Sequence, residues 1–286
     1  MSLGVVFKGP EGIVLAADSR VTLTTQIPVP NQPPLLLSST YDNATKLLSI
    51  KGQNYVGAVT YGAGAIGTDE PRTAHSYIPE FEQELKNEFH DNPDGIPRLD
   101  VKDFAQRLSD FFLEKWKAQK MPIPCPPGQD MVFFVGGYDE GAPYGRVFEI
   151  FIPSRPDPAE RHNASGQAQF GLLWGGQIDY GNRLIHGFDG RLPDLVKDFL
   201  GLDNKKRDEL ASHLQSQLQA PVPFAFLPLQ DCVDLAIFMI RSTIIMQHWI
   251  IGLRGVGGAI DVAVITQAKG FEEVQRKKIR GDDEWS

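Results

Sequence analysis

The sequence predicts an α+β protein in which two β-sheets lie sandwiched between layers of helices. Three observations lead there. Short segments of strand period open the chain. Two amphipathic helix patterns follow them, and a long, nearly all-apolar helix precedes a closing apolar strand. The order strands, helices, strands, helices, strands leaves many apolar faces, and sheets stacked on each other and covered by helices bury all of them.

Leu3, Val5 and Phe7 alternate with Ser2, Gly4, Val6 and Lys8, which is period two. Gly9-Pro10-Glu11-Gly12 reads as a tight turn and Ile13 to Asp18 as the paired strand. That hairpin sets Ser2 and Asp18 at the same end of a sheet. Residues 26–41, rich in Pro and Leu without period, read as an inserted loop, and Lys46 to Ile50 with Tyr55 to Thr60 as a second strand pair. Ile78, Phe81, Leu85 and Phe89 form one helical stripe, with Pro79 tolerated in the first turn. Asp100 is an N-cap candidate for a second helix, whose buried side is Val101, Phe104, Leu108, Phe111 and Phe112. Met131 to Gly136, Arg146 to Ile152 and Phe170 to Gly175 read as strands, the last two joined by a polar insert from Pro153 to Gln167. Leu210, Leu214 and Leu218 mark a helix. Val233 to Trp249, apolar almost all round, reads as a helix packed between a sheet and its neighbours. Ala259 to Gln267 is a continuous apolar strand, with Phe271 to Ile279 as its pairing partner. No repeat or linker divides the chain, so one domain over residues 1–286 is expected, with surface inserts near 26–42, 120–129 and 153–168.

Composition narrows the function. With 286 residues, 42% of them hydrophobic, the chain can bury a substantial core without staples. A net charge of −8 favours neither nucleic acid nor an anionic membrane surface. The short basic runs Lys205-Lys206-Arg207 and Arg276 to Arg280 read as solvated surface. Asp234, Arg241, Gln247 and His248 interrupt the best membrane-span candidate, Val233 to Leu253. Two cysteines far apart in the sequence, Cys125 and Cys232, and the absence of a signal segment point to a reducing, cytoplasmic setting. The six histidines form no ligand pair, Asp91 and Asp94 lack calcium-loop spacing, and no cofactor is expected.

The chemistry lies at the N-terminus. Removing Met1 would leave a hydroxyl residue carrying the free α-amino group, so nucleophile and general base sit on one residue, Ser2. An α-amine titrates near pH ~8, which leaves much of it neutral at cytosolic pH. An ordinary strand start is the bland alternative. Lys46 stands on a strand beside Leu48 and Ile50, where its ammonium would point inward; beside Ser2 it would depress the amine pKa, and a carboxylate would keep it charged. Asp18 is the natural carboxylate, although a turn acceptor for Arg20 is another use for it. Thr60-Tyr61-Gly62 and the small residues after it can offer backbone N–H groups to an oxyanion. Gly62 to Gly67 spells a dinucleotide-type glycine pattern, but Thr68-Asp69-Glu70-Pro71 breaks the helix that motif needs.

Together, Gly12 to Arg20, Lys46 within Ala44 to Ile50, and Gly255 to Ile265 resemble the proteasome β-subunit group of N-terminal-nucleophile hydrolases. The resemblance is good at both ends and loose in the middle. It implies an αββα four-layer sandwich, Ser2 as nucleophile, and Asp18 and Lys46 as the ion pair beneath it. The oxyanion N–H falls near Tyr61 or Gly62, with Gly62 favoured, and Val59 and Tyr61 fall where substrate would bind. It also implies a peptide or unfolded-protein substrate, self-association into a ring or other homo-oligomer, and an ATPase regulator as a possible partner. Three positions depart from the pattern. Trp174-Gly175-Gly176-Gln177 stands where a serine is common, and Leu253 and Val256 replace an Asp and a Ser that would orient the amine. Gln177 is the one polar substitute. These losses keep open a catalytically silent structural subunit, and transfer of the acyl group to an amine is a third reading.

Overall fold

The computed structural model describes residues 2–27, 35–68, 70–93, 95–164, 167–252 and 254–278. Its strands are β1 (Leu3–Lys8), β2 (Ile13–Asp18), β3 (Val21–Ile27), β4 (Leu35–Tyr41), β5 (Leu47–Leu48), β6 (Val56–Gly62), β7 (Met131–Gly137), β8 (Arg146–Ile152), β9 (Arg155–Arg161), the two-residue β10 (Asn163–Ala164) and β11 (Gln167–Ala168), β12 (Gly171–Gly176), β13 (Ile260–Thr266) and β14 (Gly270–Gln275). The α-helices are α1 (Ile78–Glu88), α2 (Val101–Ala118), α3 (Asp179–Ile185), α4 (Leu192–Leu200), α5 (Asn204–Leu218) and α6 (Leu229–Trp249).

The first sheet is five-stranded in the order β12-β1-β2-β13-β14 and the second is five-stranded in the order β5-β6-β7-β8-β9; every pairing in them is antiparallel. Strand alternation explains how the sheets meet. Leu3, Val5 and Phe7 of β1 point outward into an apolar cluster with Cys232, Ala236, Met239 and Ile240 of α6. Val6 points the other way, with Ile13, Leu15 and Ala17 of β2, into a cluster shared with Val59, Tyr61, Val132 and Phe134 of the second sheet. The far side of that sheet, through Ala58, Phe133 and Ile150, packs on Phe81, Phe104, Phe112 and Trp116 of α1 and α2. Phe112 and Phe133 stack with centroids 4.7 Å apart, an arrangement worth ~0.5–1.5 kcal/mol beyond simple burial. Ser2 precedes β1 by one residue and shares the face of Val6, so it is directed at the other sheet.

Two of the expected inserts are ordered as strands. Val21–Ile27 and Leu35–Tyr41 pair as an antiparallel hairpin instead of forming a loop; residues 28–34, its tip, lie outside the described set. Leu35, Leu37 and Tyr41, which share one strand parity on β4, are exposed, so that side of the strand lacks the buried apolar face that would have announced it. The polar insert begins with β9, the edge strand of the second sheet, and its prolines Pro156 and Pro158 fit an edge. Residues 120–129 do form a loop. The helix expected from Val233 begins at Leu229, and Phe238, Ile245, Met246 and Trp249 on it are exposed rather than covered. Helices α3 and α4 were not anticipated. Among the described residues no helix is long and apolar enough to cross a membrane.

Candidate active site

Ser2 is held through the peptide group that joins it to Leu3. Its carbonyl accepts the N–H of Gln177 at 2.9 Å, and the following N–H, that of Leu3, donates to Asp18 Oδ1 at 3.0 Å. The side chain points at the end of β6, where the Gly62 N–H donates to Ser2 Oγ at 3.1 Å. Gly62 has φ of +85°, and a Cβ there would lie 2.2 Å from the carbonyl oxygen of Asp130. Both the backbone angle and the space demand glycine at this point. The next N–H, from Ala63, is already bonded to Asp130 O at 2.8 Å, so Gly62 supplies the free-facing donor.

Behind Ser2 lies a buried ion pair. Lys46 Nζ is 2.6 Å from Asp18 Oδ1, with Lys46 only 6% and Asp18 1% exposed. Asp18 Oδ2 accepts two more backbone N–H groups, from Arg20 at 3.1 Å and Gly257 at 3.0 Å. With Lys46 Nζ and the Leu3 amide on Oδ1, the carboxylate thus accepts from four donors. Burial lowers the Lys46 pKa, with Asp18 opposing the shift and Lys277 and Arg20 adding to it. Ser2, Lys46, Thr60, Tyr61 and Thr73 border a cavity of about 20 Å³, room for a single water-sized group.

Ser2 also opens onto a cleft of about 640 Å³ whose wall includes Thr22, Gly64, Trp116, Met121 and Cys125. The loop carrying Met121 and Cys125 is fixed at both ends of the cleft. The Trp116 indole donates to Pro122 O at 3.1 Å, and Asp130 O accepts from Ala63 beside the Ser2–Gly62 contact. Burial raises the Cys125 thiol pKa, and Asp130 adds to the rise, so this cleft wall carries a neutral thiol.

The structure thus brings Ser2, Asp18, Lys46 and Gly62 together. Two residues expected to meet substrate do not reach the cleft. Val59 is completely buried between the sheets, because its parity on β6 is that of the intersheet core. Tyr61 shares that parity; its ring packs on Phe134 and its hydroxyl donates to Glu149 Oε1 at 3.1 Å. Burial, with Glu149 second, pushes the phenol far above its ordinary pKa. Gln177 contributes its backbone N–H to Ser2, while its side-chain amide turns to Asp179 at 2.6 Å. Val256 is buried and its N–H donates to Gln247 Oε1 at 3.0 Å, which leaves the polar work at this turn to the neighbouring Gly257. Leu253 lies outside the described residues. The Gly257 and Arg20 amides and the Met121–Cys125 wall were missed in the sequence; the Gly257-Gly258 pair was the one signal for the first of them. Among the described residues, no group of three or more His, Cys, Asp or Glu side chains converges as a metal site would require.

Fold and site together describe a mixed α/β protein of packed antiparallel sheets, with a serine, a lysine and an aspartate clustered at one sheet end. Among solved structures, the chain is similar to the Gly-1 mutant of Anbu from Hyphomicrobium sp. strain MC1, with a TM-score of 0.50 at 15% identity. The match covers 100% of this chain and 90% of that one, and it is a likeness of fold. No known family model matches the sequence, and no curated protein does.

Proposed function

We propose that residues 1–286 form one proteasome-type domain, an αββα four-layer sandwich that hydrolyses peptide bonds through Ser2 once Met1 is removed. The observation that carries this reading is the Gly62 N–H set 3.1 Å from Ser2 Oγ, in front of the buried Lys46–Asp18 pair. Ser2 Oγ attacks the peptide carbonyl carbon while its proton passes to the freed α-amine of Ser2. The carbonyl oxygen becomes an oxyanion within reach of the Gly62 N–H, and such a donor contributes about 10²–10³ in rate. The C–N bond then breaks, the leaving amine takes the proton, and water hydrolyses the remaining ester through the same amine. Lys46, kept charged by Asp18, holds the amine toward its neutral, basic form.

Self-association into a ring or other homo-oligomer would enclose the cleft and admit only unfolded chains. The exposed Trp249 and its apolar neighbours at the end of α6 are compatible with such a contact.

The test is incubation with an epoxyketone or β-lactone directed at N-terminal nucleophiles, followed by intact mass and peptide mapping. A single adduct on Ser2 of the Met1-free chain is the expected result. An adduct on any other residue overturns the assignment. A free Ser2 amine that takes no label favours a silent structural subunit, the reading motivated by the apolar residues Leu253 and Val256.

A further inference from the structure

We propose that Tyr61 is a positioning residue, a wedge between the sheets that sets the distance from Ser2 Oγ to the Gly62 N–H. The proposal rests on the reading of Ser2 as nucleophile. Its observation is a slot made of glycines. Gly4 of β1 and Gly175 of β12 are directly paired across the strands, two residues or fewer from the residues that hold Ser2. Neither has the positive φ that would call for glycine on backbone grounds. Glycine inside a strand is destabilising relative to alanine, so two in register need a steric reason. The Tyr61 ring is that reason. A Cβ on Gly175 would lie 2.1 Å from Tyr61 Cζ, and one on Gly4 would lie 2.7 Å from Tyr61 Cδ1.

The ring is itself fixed. Its hydroxyl donates to Glu149 Oε1, and Glu149 Oε2 lies 2.7 Å from Arg161 and 3.2 Å from Arg155. Phe134 packs against it with centroids 5.0 Å apart. Anchored to β8 and β9 on one side, the ring presses on the β1–β12 pair on the other. The residue after it is Gly62, the donor to Ser2. Moving the ring therefore moves the donor and the nucleophile's strand in opposite senses.

The experiment uses the full chain in three variants: Tyr61→Leu, Gly175→Ala and the double substitution. Each is measured for Ser2 labelling rate per folded molecule, for kcat and KM on a peptide substrate, and for backbone hydrogen exchange. Displacing reacting groups by about 1 Å costs roughly 100-fold, so Tyr61→Leu and Gly175→Ala each lose about that in kcat with KM unchanged. The double variant recovers most of the Gly175→Ala loss relative to Gly175→Ala alone, because the new methyl occupies the vacated slot. Exchange in Tyr61→Leu rises at Leu3 to Phe7 and at Gly62 to Gly64 while α2 stays protected. Multiplicative losses in the double variant, or unchanged exchange at β1, overturn the wedge. If the parent chain takes no label at Ser2, the peptidase reading fails instead, and the exchange pattern still decides whether Tyr61 spaces the two sheets.

Discussion

Replacing Lys46 by Met removes one half of a buried ion pair while keeping most of the side chain's apolar bulk. Asp18 would be left 1% exposed, hydrogen-bonded by the N–H groups of Leu3, Arg20 and Gly257 and with the Arg20 guanidinium as a more distant opposite charge. Breaking such a pair by removing one partner typically costs ~3–5 kcal/mol. Three backbone donors remain, each worth ~1.5–3 kcal/mol to a charged acceptor, which places Lys46→Met at the low end, about 3 kcal/mol. For a chain of this size that corresponds to a fall in Tm of roughly 6 °C, at ~2 °C per kcal/mol. The pH dependence has a definite sign. Burial lowers the Lys46 pKa, so on the alkaline side, up to the ordinary lysine value near 10.5, the unfolded chain binds more protons than the folded one. The wild-type stability therefore carries a component that increases with pH there, and Lys46→Met loses it. Denaturant titration from pH 7 to 10, with Ser2 labelling followed in parallel, measures both effects. A variant that stays within ~0.5 kcal/mol of wild type, the range of an ordinary surface substitution, would refute the claim that this pair is buried and coupled.

Other substitutions separate chemistry from stability. Ser2→Ala is expected to abolish adduct formation while costing only about 1 kcal/mol in chemical denaturation, the worth of the one side-chain hydrogen bond lost. Gly62→Ala forces an L-residue into φ of +85° and a Cβ to within 2.2 Å of Asp130 O. It should lower stability by ~1–3 kcal/mol by the same titration, and lower the labelling rate of the molecules that remain folded. Away from the site, burial lowers the His162 pKa to about 4, with Lys8 and Arg161 contributing. An unfolded histidine titrates near ~6.5, so between these values the unfolded chain binds the extra proton and stability falls as pH drops. The whole shift would be worth ~3 kcal/mol, of which solvent screening at this partly exposed ring leaves about 1–2. His162→Asn, whose side chain tolerates the positive φ of 53° at this position, should flatten the dependence of Tm on pH from 4 to 7.

What the sequence disclosed and what it hid follow from the same cause, the visibility of side chains and the invisibility of backbone. Charged residues inside strand patterns are costly, so Asp18 and Lys46 stood out, and the opening hairpin set Ser2 and Asp18 at one sheet end. Alternation along β1 and the stripes on α1 and α2 announced themselves because each buries one face against an apolar partner. The β3–β4 ribbon and β9 did not, since a strand that exposes Leu35, Leu37 and Tyr41 and an edge strand with two prolines carry no such signature. Val59 and Tyr61 stand near Gly62 in sequence, but on a strand side chains of that parity face the other sheet, whereas the group that Gly62 turns to Ser2 is its N–H. The same holds for Asp18, whose donors beside Lys46 are amides from Leu3, Arg20 and a turn at Gly257 far along the chain. Val256 illustrates the consequence. A position judged by its side chain looks like a lost polar partner, yet the amide of the next residue still reaches Asp18, and an amide is supplied whatever side chain stands beside it. An apolar residue at that turn therefore leaves the support of Asp18 intact.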